Sequence, residues 1–210
     1  MVLAILLIAA ASYLLGSIPT GYLLVRLICH KDIRQTGSGN IGATNVLRSG
    51  GKRLGAVTFV LDMLKGSFAV WLGGLLGALL LPHCPLRDAQ ALAVLFAVLG
   101  HMFPVWLGFH GGKGVSTSFG AFLVAAPPAA LAAIGVFALV LAFSRYVSLA
   151  SVLGAAGFPI FACFLIHGDR PLFFIAVQIA VASLIIVKHH QNIRRLLAGT
   201  ESRLGSRRSA

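Results

Sequence analysis

Three polar segments of this chain carry residue types that bind oxyanions. The first reads Gln35-Thr36-Gly37-Ser38-Gly39-Asn40-Ile41-Gly42-Ala43-Thr44-Asn45-Val46-Leu47-Arg48-Ser49-Gly50-Gly51-Lys52 and holds five glycines. Glycine permits close backbone approach, small hydroxyl and amide side chains donate to oxyanions, and Arg48 suits bidentate contact with phosphate. A loop that only set membrane topology would need nothing but its cations. The second segment, Gly111-Gly112-Lys113-Gly114-Val115-Ser116-Thr117-Ser118, is a glycine nest and a lysine leading into a helical run, so its amides and the helix N-terminus suit an anion. It is not a P-loop: Gly108 stands only three residues before Gly112-Lys113 where four are required, and Gly114 follows the lysine in place of Ser or Thr. In the third, Lys188 to Glu201, His189 and Asn192 share a helical face at i,i+3, while Ile193, Leu196 and Leu197 form the apolar stripe of a surface helix. Surface anchoring accounts for Arg194 and Arg195 but not for the joint facing of His189 and Asn192.

These segments need elements to hold them, and the composition says which kind. Hydrophobic residues make up 58% of the 210 positions and charged residues 10%, with a mean hydropathy of +0.94, far from a soluble domain. A helix needs about 20 apolar residues to cross the hydrocarbon core. The uncharged runs predict an all-α integral membrane protein of seven spans, near 2–26, 54–81, 89–107, 115–126, 129–144, 147–167 and 171–187, in one polytopic domain. The first run starts at Met1 with no basic residue before it and continues to Val25, which reads as a retained span, not a signal peptide. Cys29, Cys84 and Cys163 lie too far apart for a zinc site or a disulfide framework.

Span 115–126 is short, and charge parity argues for it. If 115–144 crossed only once, the basic tail would lie opposite the basic loop 31–53; two crossings bring them together. With seven spans and the N-terminus outside, the inner face receives Arg26, Lys31, Arg34, Arg48, Lys52, Arg53, Lys113, Arg145, Lys188, Arg194, Arg195, Arg203, Arg207 and Arg208 against Asp32 and Glu201. Outside, Arg87 offsets Asp88 and Arg170 offsets Asp169, so the whole formal charge of +12 falls on one face. That positive-inside pattern predicts a cytoplasmic C-terminus.

Other polar residues carry less. Asp62 and Lys65 at i,i+3 in the second span are expected to neutralise each other and face the bundle, with orientation of the site as a secondary role. His101, one turn before Pro104, is expected as a hydrogen-bonded interior residue. Gly16-Ser17-Ile18-Pro19 is expected to kink the first helix, with Ser17 a candidate for lining the site. His83-Cys84-Pro85-Leu86-Arg87-Asp88 fits the His-x4-Asp pattern of acyl-CoA-dependent glycerolipid acyltransferases, but it falls on the outer face, so coincidence is the expectation. The tail 203–210 is basic and without motif.

Taken together, Gly-Ser-Ile-Pro at 16–19, Gly-Ser-Gly-Asn-x-Gly-Ala-Thr-Asn-x-x-Arg at 37–48, Gly-Gly-Lys-Gly at 111–114 and His-x-x-Asn-Ile at 189–193 resemble the bacterial acyl-phosphate:glycerol-3-phosphate acyltransferase family (PlsY-type). The resemblance implies seven spans with three cytoplasmic motifs in the bacterial inner membrane. It implies transfer of a fatty acyl group from acyl phosphate to the sn-1 hydroxyl of glycerol 3-phosphate, giving lysophosphatidic acid and phosphate, the first acylation of phospholipid synthesis. It also implies that Ser38, Arg48, Lys113, His189 and Asn192 surround glycerol 3-phosphate with Thr44 and Asn45 beside them, and that Gly111, Gly112, Lys113 and Gly114 hold the donor's phosphate. A functional serine is implied in Arg145–Ser151, either Ser148 or Ser151, with Ser151 preferred. Arg48, Lys113 and His189 are the expected catalytic residues, His189 as either a base or a phosphate ligand. No cofactor, metal or nucleic acid is expected; the expected partners are the two substrates, membrane lipid and the soluble enzyme that makes acyl phosphate. An organic-phosphate transporter is the alternative, but transporters place substrate near the midplane between repeated halves, and here the polar residues gather at one surface.

Overall fold

The computed structural model describes residues 1–168 and 170–205. Asp169, the expected partner of Arg170, and the tail cations Arg207 and Arg208 lie outside the described residues. Among those described the regular structure is helical and no strand occurs. Helices α1 (Val2–Ser17) and α2 (Thr20–Cys29) separate where the sequence predicts a kink: Pro19 forces Ile18 out of the helical region, to ψ 113°. There follow α3 (Ala43–Ser49), α4 (Lys52–Leu80), α5 (Leu86–Met102), α6 (Val115–Ala125), α7 (Pro127–Ser144), α8 (Val147–Leu165), α9 (Leu172–Lys188) and α10 (His190–Leu197).

Five stretches among the described residues are long and apolar enough to cross a membrane: Val2–Cys29, Lys52–Leu80, Leu86–Leu107, Pro127–Ser144 and Val147–Leu165. Joining α9 to α10 across a 55° bend makes a sixth. Helix α6 matches the short seventh run; its 11 residues reach only about 16 Å at 1.5 Å per residue. Helices α6 and α7 nevertheless run out and back, because Lys113 at the start of one and Arg145 at the end of the other both bond to the 192–204 region. Both outer ends of this helix pair therefore lie beside residues 192–204.

Glycines bring the helices close. A Cβ on Gly16 would lie 2.0 Å from the Ala97 carbonyl oxygen, so α1 meets α5 backbone to backbone. Gly66 and Gly120 do the same for α4 and α6, with hypothetical Cβ atoms 2.2 Å from the Thr117 oxygen and 1.9 Å from the Met63 oxygen. Between lipid-immersed helices such small-residue contacts maximise dispersion, since lipid tails offer little hydrophobic drive. The main core gathers Val70, Val94, Val98, Met102, Phe122, Phe158 and Phe174. A smaller one, Val25, Ile33, Ile41 and Val46, fixes α3 and the loop before it. Helix α7 leans on α8 and buries little beyond Ala129 and Ala130, which leaves a groove along its inner side.

Inside the bundle, Lys65 Nζ lies 2.7 Å from Asp62 Oδ1 with both side chains buried, the neutralising pair the sequence predicts. His101 is also interior, with Nδ1 3.1 Å from Thr117 Oγ1.

Candidate active site

Four segments converge at one end of the bundle around a cleft of about 130 Å³. Its walls include Ser38, Thr44, Asn45 and Arg48 from the first segment, Lys113, Gly114, Val115 and Ser116 from the second, Ser148 and Ser151 from α8, and His189, Asn192, Arg195 and Glu201 from the third. Each position has a local cause. Loop 33–40 is wound around Asn45, whose amide nitrogen donates to the Asn40 carbonyl at 2.8 Å and the Thr36 carbonyl at 3.0 Å, while its oxygen accepts from the Ser38 amide at 2.9 Å. Gly37 sits at φ +61°, where a Cβ would also strike Asn45 Oδ1 at 2.1 Å. Asn45 thus spends its side chain on shaping the loop, and Ser38, Thr44 and Arg48 remain to face a ligand.

The glycine segment behaves differently from its sequence expectation. Gly111 and Gly112 do not line the cleft; their amides donate to the Met102 and His101 carbonyls at 3.2 and 3.0 Å, stapling the loop to the end of α5. What faces the cleft is the next turn: Lys113, Gly114 at φ +82°, and the start of α6, whose first amides lack partners within the helix as at any helix N-terminus.

The bend between α9 and α10 places His189 and Asn192 inward together, both buried. His189 Nδ1 lies 2.7 Å from the Ile185 carbonyl, an acceptor only, so Nδ1 carries the proton and the neutral ring offers the Nε2 lone pair. Burial, and then the charge of Lys113, pull the His189 pKa down to about 4, so the ring is neutral at ordinary pH. Lys113 donates to Asn192 Oδ1. Burial also lowers the Lys113 pKa to about 8, with Arg195 and Arg48 acting in the same direction and Glu201 opposing.

Glu201 was counted in the sequence only as one acid in a basic tail, and the structure makes it central. Its carboxylate accepts from Ser148 Oγ at 2.8 Å, Asn192 Nδ2 at 2.7 Å and Arg195 Nε at 2.7 Å. Burial works against its charge, yet these hydrogen bonds outweigh burial and hold the carboxyl below its usual range. Around it, Arg48 Nη2 donates to the Ser202 carbonyl at 3.1 Å and Arg145 Nη2 to the Leu204 carbonyl at 2.9 Å, binding residues 201–204 across the cleft's edge. The signal was faint: a lone acid behind the Gly199-Thr200 helix stop. Asp62, for which orientation of the site is only the secondary expectation, and His101, expected as an interior residue, both reach the cleft floor. Ser17 is fully buried and is not among the lining residues, so the sequence candidate is not part of this site. Of the two serines, Ser148 joins the Glu201 network, whereas Ser151 bonds its own helix at the Val147 carbonyl, 2.8 Å away.

The polar cleft does not end blindly. Val115, Phe137 and Ser151 also line a second cavity, a groove of about 70 Å³ between α6, α7, α8 and α9 walled by Phe119, Phe122, Ile134 and Phe158. One end of the combined space is cationic and the other apolar, the shape of an amphiphile with an anionic head. Among the described residues no group of three or more His, Cys, Asp or Glu is placed to hold a metal ion.

Residues 6–199 match the family described as glycerol-3-phosphate acyltransferase. The chain belongs to that family. The glycerol-3-phosphate acyltransferase of Synechococcus sp. (strain CC9902) is 45% identical over 208 residues, 99% of this chain and 98% of that one. The one from Syntrophotalea carbinolica (strain DSM 2380 / NBRC 103641 / GraBd1) is 48% identical over 194 residues, covering 92% and 94%. The fold is similar to the crystal structure of PlsY, an integral membrane glycerol 3-phosphate acyltransferase, in its glycerol 3-phosphate form, with a TM-score of 0.85, 37% identity and 96% of each chain covered. Family membership agrees with the resemblance carried by the three motifs, and the helices that hold those motifs are those of a membrane acyltransferase.

Proposed function

We propose that this chain transfers a fatty acyl group from acyl phosphate to the sn-1 hydroxyl of glycerol 3-phosphate at the cytoplasmic face of a bacterial inner membrane. The acylation of glycerol 3-phosphate rests on the family. The choice of donor rests on one observation, the continuity of the cationic cleft with the apolar groove through Val115, Phe137 and Ser151. Acyl phosphate has that division: its phosphate suits Lys113 and the first turn of α6, and its tail suits the groove open to lipid.

In the reaction a glycerol hydroxyl oxygen attacks the acyl carbonyl carbon, the bond from that carbon to the phosphate oxygen breaks, and phosphate leaves with the bonding pair. The hydroxyl proton is taken up by the departing phosphate or by His189. Acyl phosphate is a mixed anhydride with a good leaving group, so no covalent acyl-enzyme is needed and the demand falls on positioning and charge. Arg48 and Lys113 neutralise phosphate and the developing oxyanion. The lone pair on His189 Nε2 suits the acceptor's hydroxyl, while Asn192 fixes Lys113. Asn45, with its side chain already spent, acts by holding Ser38 and Thr44 in place.

The test is a donor comparison with purified protein in lipid, offering acyl phosphate, an acyl-CoA and an acyl carrier protein thioester in turn. Lysophosphatidic acid acylated at sn-1, formed from acyl phosphate alone, is the expected result; turnover of a thioester in preference to acyl phosphate would sink the donor assignment. The proposed topology has seven crossings with the N-terminus outside. It expects single cysteines at 52, 113 and 145 to label only from the cytoplasmic side and those at 87 and 170 only from outside.

A further inference from the structure

His101 and Asp62 are buried, polar and unused by the reaction outlined above, and both open onto the cleft floor beside Lys113 and Gly114. Their contacts cross the bundle. Asp62 Oδ1 accepts from Thr20 Oγ1 at 2.6 Å and lies 2.7 Å from Lys65 Nζ, which in turn donates to the Ile18 carbonyl at 2.7 Å. On its other side Asp62 Oδ1 is 3.5 Å from His101 Nδ1, and that same nitrogen is 3.1 Å from Thr117 Oγ1 on α6. The imidazole is therefore held by α4 and α6 while it rides on α5.

The far edge of the ring meets the glycine loop. A Cβ added to Gly112 would have His101 atoms as its three nearest neighbours, Nε2 at 2.0 Å, Cε1 at 2.8 Å and Cδ2 at 2.9 Å. The Gly112 amide donates to the His101 carbonyl at 3.0 Å, so this one residue grips Gly112 by backbone and supports it by side chain. Lys113 and the first turn of α6 follow directly. A polar cluster is costly inside a lipid-immersed bundle, where an apolar ring would fill the same space more cheaply. Its use is a fixed geometry, which buried polar networks supply when every member is paired.

We propose that His101, braced by Asp62, is a positioning residue for the acyl donor: its ring is the seat on which Gly112 rests and thereby sets Lys113 and the α6 N-terminus against the donor's phosphate. This rests on the reading of acyl phosphate as donor. It predicts a compensation that general destabilisation would not produce. Gly112→Ala drives a methyl into the imidazole and displaces the loop, so the apparent KM for acyl phosphate should rise about tenfold or more, misplacement by an ångström being enough. His101→Ala removes the seat and should raise the donor KM by a smaller factor with the glycerol 3-phosphate KM nearly unchanged. In the double variant His101→Ala/Gly112→Ala the methyl has room, and the donor KM should fall back below that of Gly112→Ala alone.

The experiment measures both apparent KM values for the wild type, the two single variants and the double variant in lipid, together with the yield and thermal unfolding of each. A double variant as poor as or poorer than Gly112→Ala overturns the proposal, as does a His101→Ala enzyme whose acceptor KM rises as much as its donor KM. Where Gly112→Ala does not accumulate, recovery of folded protein in the double variant reads the same collision, and absence of recovery counts against the seat. A wild type that ignores acyl phosphate fails the donor reading; a wild type that uses it, with no compensation between 101 and 112, fails the positioning proposal alone.

Discussion

Two ends of this bundle carry residues that an acyltransferase could use, and only one is built as a site. At one end the loop before α5 spells His83-x4-Asp88. His83 is exposed, Asp88 lies in the first turn of α5, where an acid suits the helix N-terminus, and among the described residues no ion pair joins the two. Arg87 between them reaches the His167 carbonyl at 3.3 Å and the Phe174 ring, which are loop-anchoring contacts. At the other end Asn45, Ser148, Ser151, His189, Asn192 and Glu201 are all buried, and a cleft runs among them. Helix α4, with 29 residues, separates the two ends by about 43 Å. Spacing in sequence offers both ends as candidates; convergence, burial and a cavity select one.

Removing charge from the built end should do the greatest damage. Arg48→Ala and Lys113→Ala are each expected to lower kcat/KM about a thousandfold or more, roughly 4 kcal/mol of transition-state stabilisation. Steady-state kinetics in lipid with acyl phosphate as donor would read it. Either variant retaining a tenth of wild-type activity would break the comparison, because the cationic cleft would then be no better supported than the loop before α5.

His189 and Asn192 come next, and they sharpen the comparison by separating roles within the cleft. Both alanine variants should chiefly raise the apparent KM for glycerol 3-phosphate, by about tenfold to a hundredfold, with a smaller change in kcat. For Asn192 the cause is the loss of the amide that donates to Glu201 and, with Ser148, fixes the wall of the cleft built from α8 and α10. For His189 it is the loss of an acceptor for the glycerol hydroxyl. A His189→Ala enzyme with unchanged acceptor KM, collapsed kcat and rescue by imidazole would make that histidine the general base.

How much of this was legible before folding follows physical lines. The helix break at Pro19, the run 115–126 as a helix, the Asp62–Lys65 pair and the inward face of His189 and Asn192 are local consequences of sequence, and the structure carries each one. Glu201 is not legible in the sequence, because its three partners come from α8 and α10 and nothing in the tail's composition announces them. The roles within the glycine segment were also hidden. A nest of amides is recognisable from Gly111-Gly112-Lys113-Gly114, but which amides are free depends on Met102 and His101, whose carbonyls take the first two. Asn45 shows the same limit, since its type suits a ligand contact and its surroundings give it loop-forming work instead.

A smaller effect should come from pH. The lysine carries its charge below its pKa, and burial brings the Lys113 pKa down to about 8 in the empty site. Because kcat/KM reports the free enzyme, its value for acyl phosphate should hold at lower pH and decline by about tenfold per unit well above 8. Lys113→Arg keeps a cation through that range, so its profile should stay flat there whatever its absolute rate. An identical alkaline limb in both enzymes would assign the decline to another group, and the cleft's electrostatics would need a different owner.

The smallest effect is expected at the loop before α5, and its smallness is informative. If the His-x4-Asp pattern did chemistry, His83 would act as the base and Asp88 would orient it, so His83→Ala and Asp88→Ala should each cost a factor of about 10²–10⁴ in rate. The structure instead gives His83 an exposed place at the far end of α4, and gives Asp88 a buried Oδ1 without a hydrogen-bond partner among the described residues. The desolvation cost of an unpaired buried carboxylate oxygen offsets the favourable place of the charge at the helix N-terminus, so removing it should change stability little. Both variants should therefore keep kcat and both KM values within about threefold of wild type, and Asp88→Ala should unfold at nearly the same temperature. Kinetics with acyl phosphate and with an acyl-CoA should be run side by side. Loss confined to the acyl-CoA reaction would mean a second activity at this end of the bundle, whereas a thousandfold loss with acyl phosphate in a folded variant would overturn the assignment of the cleft.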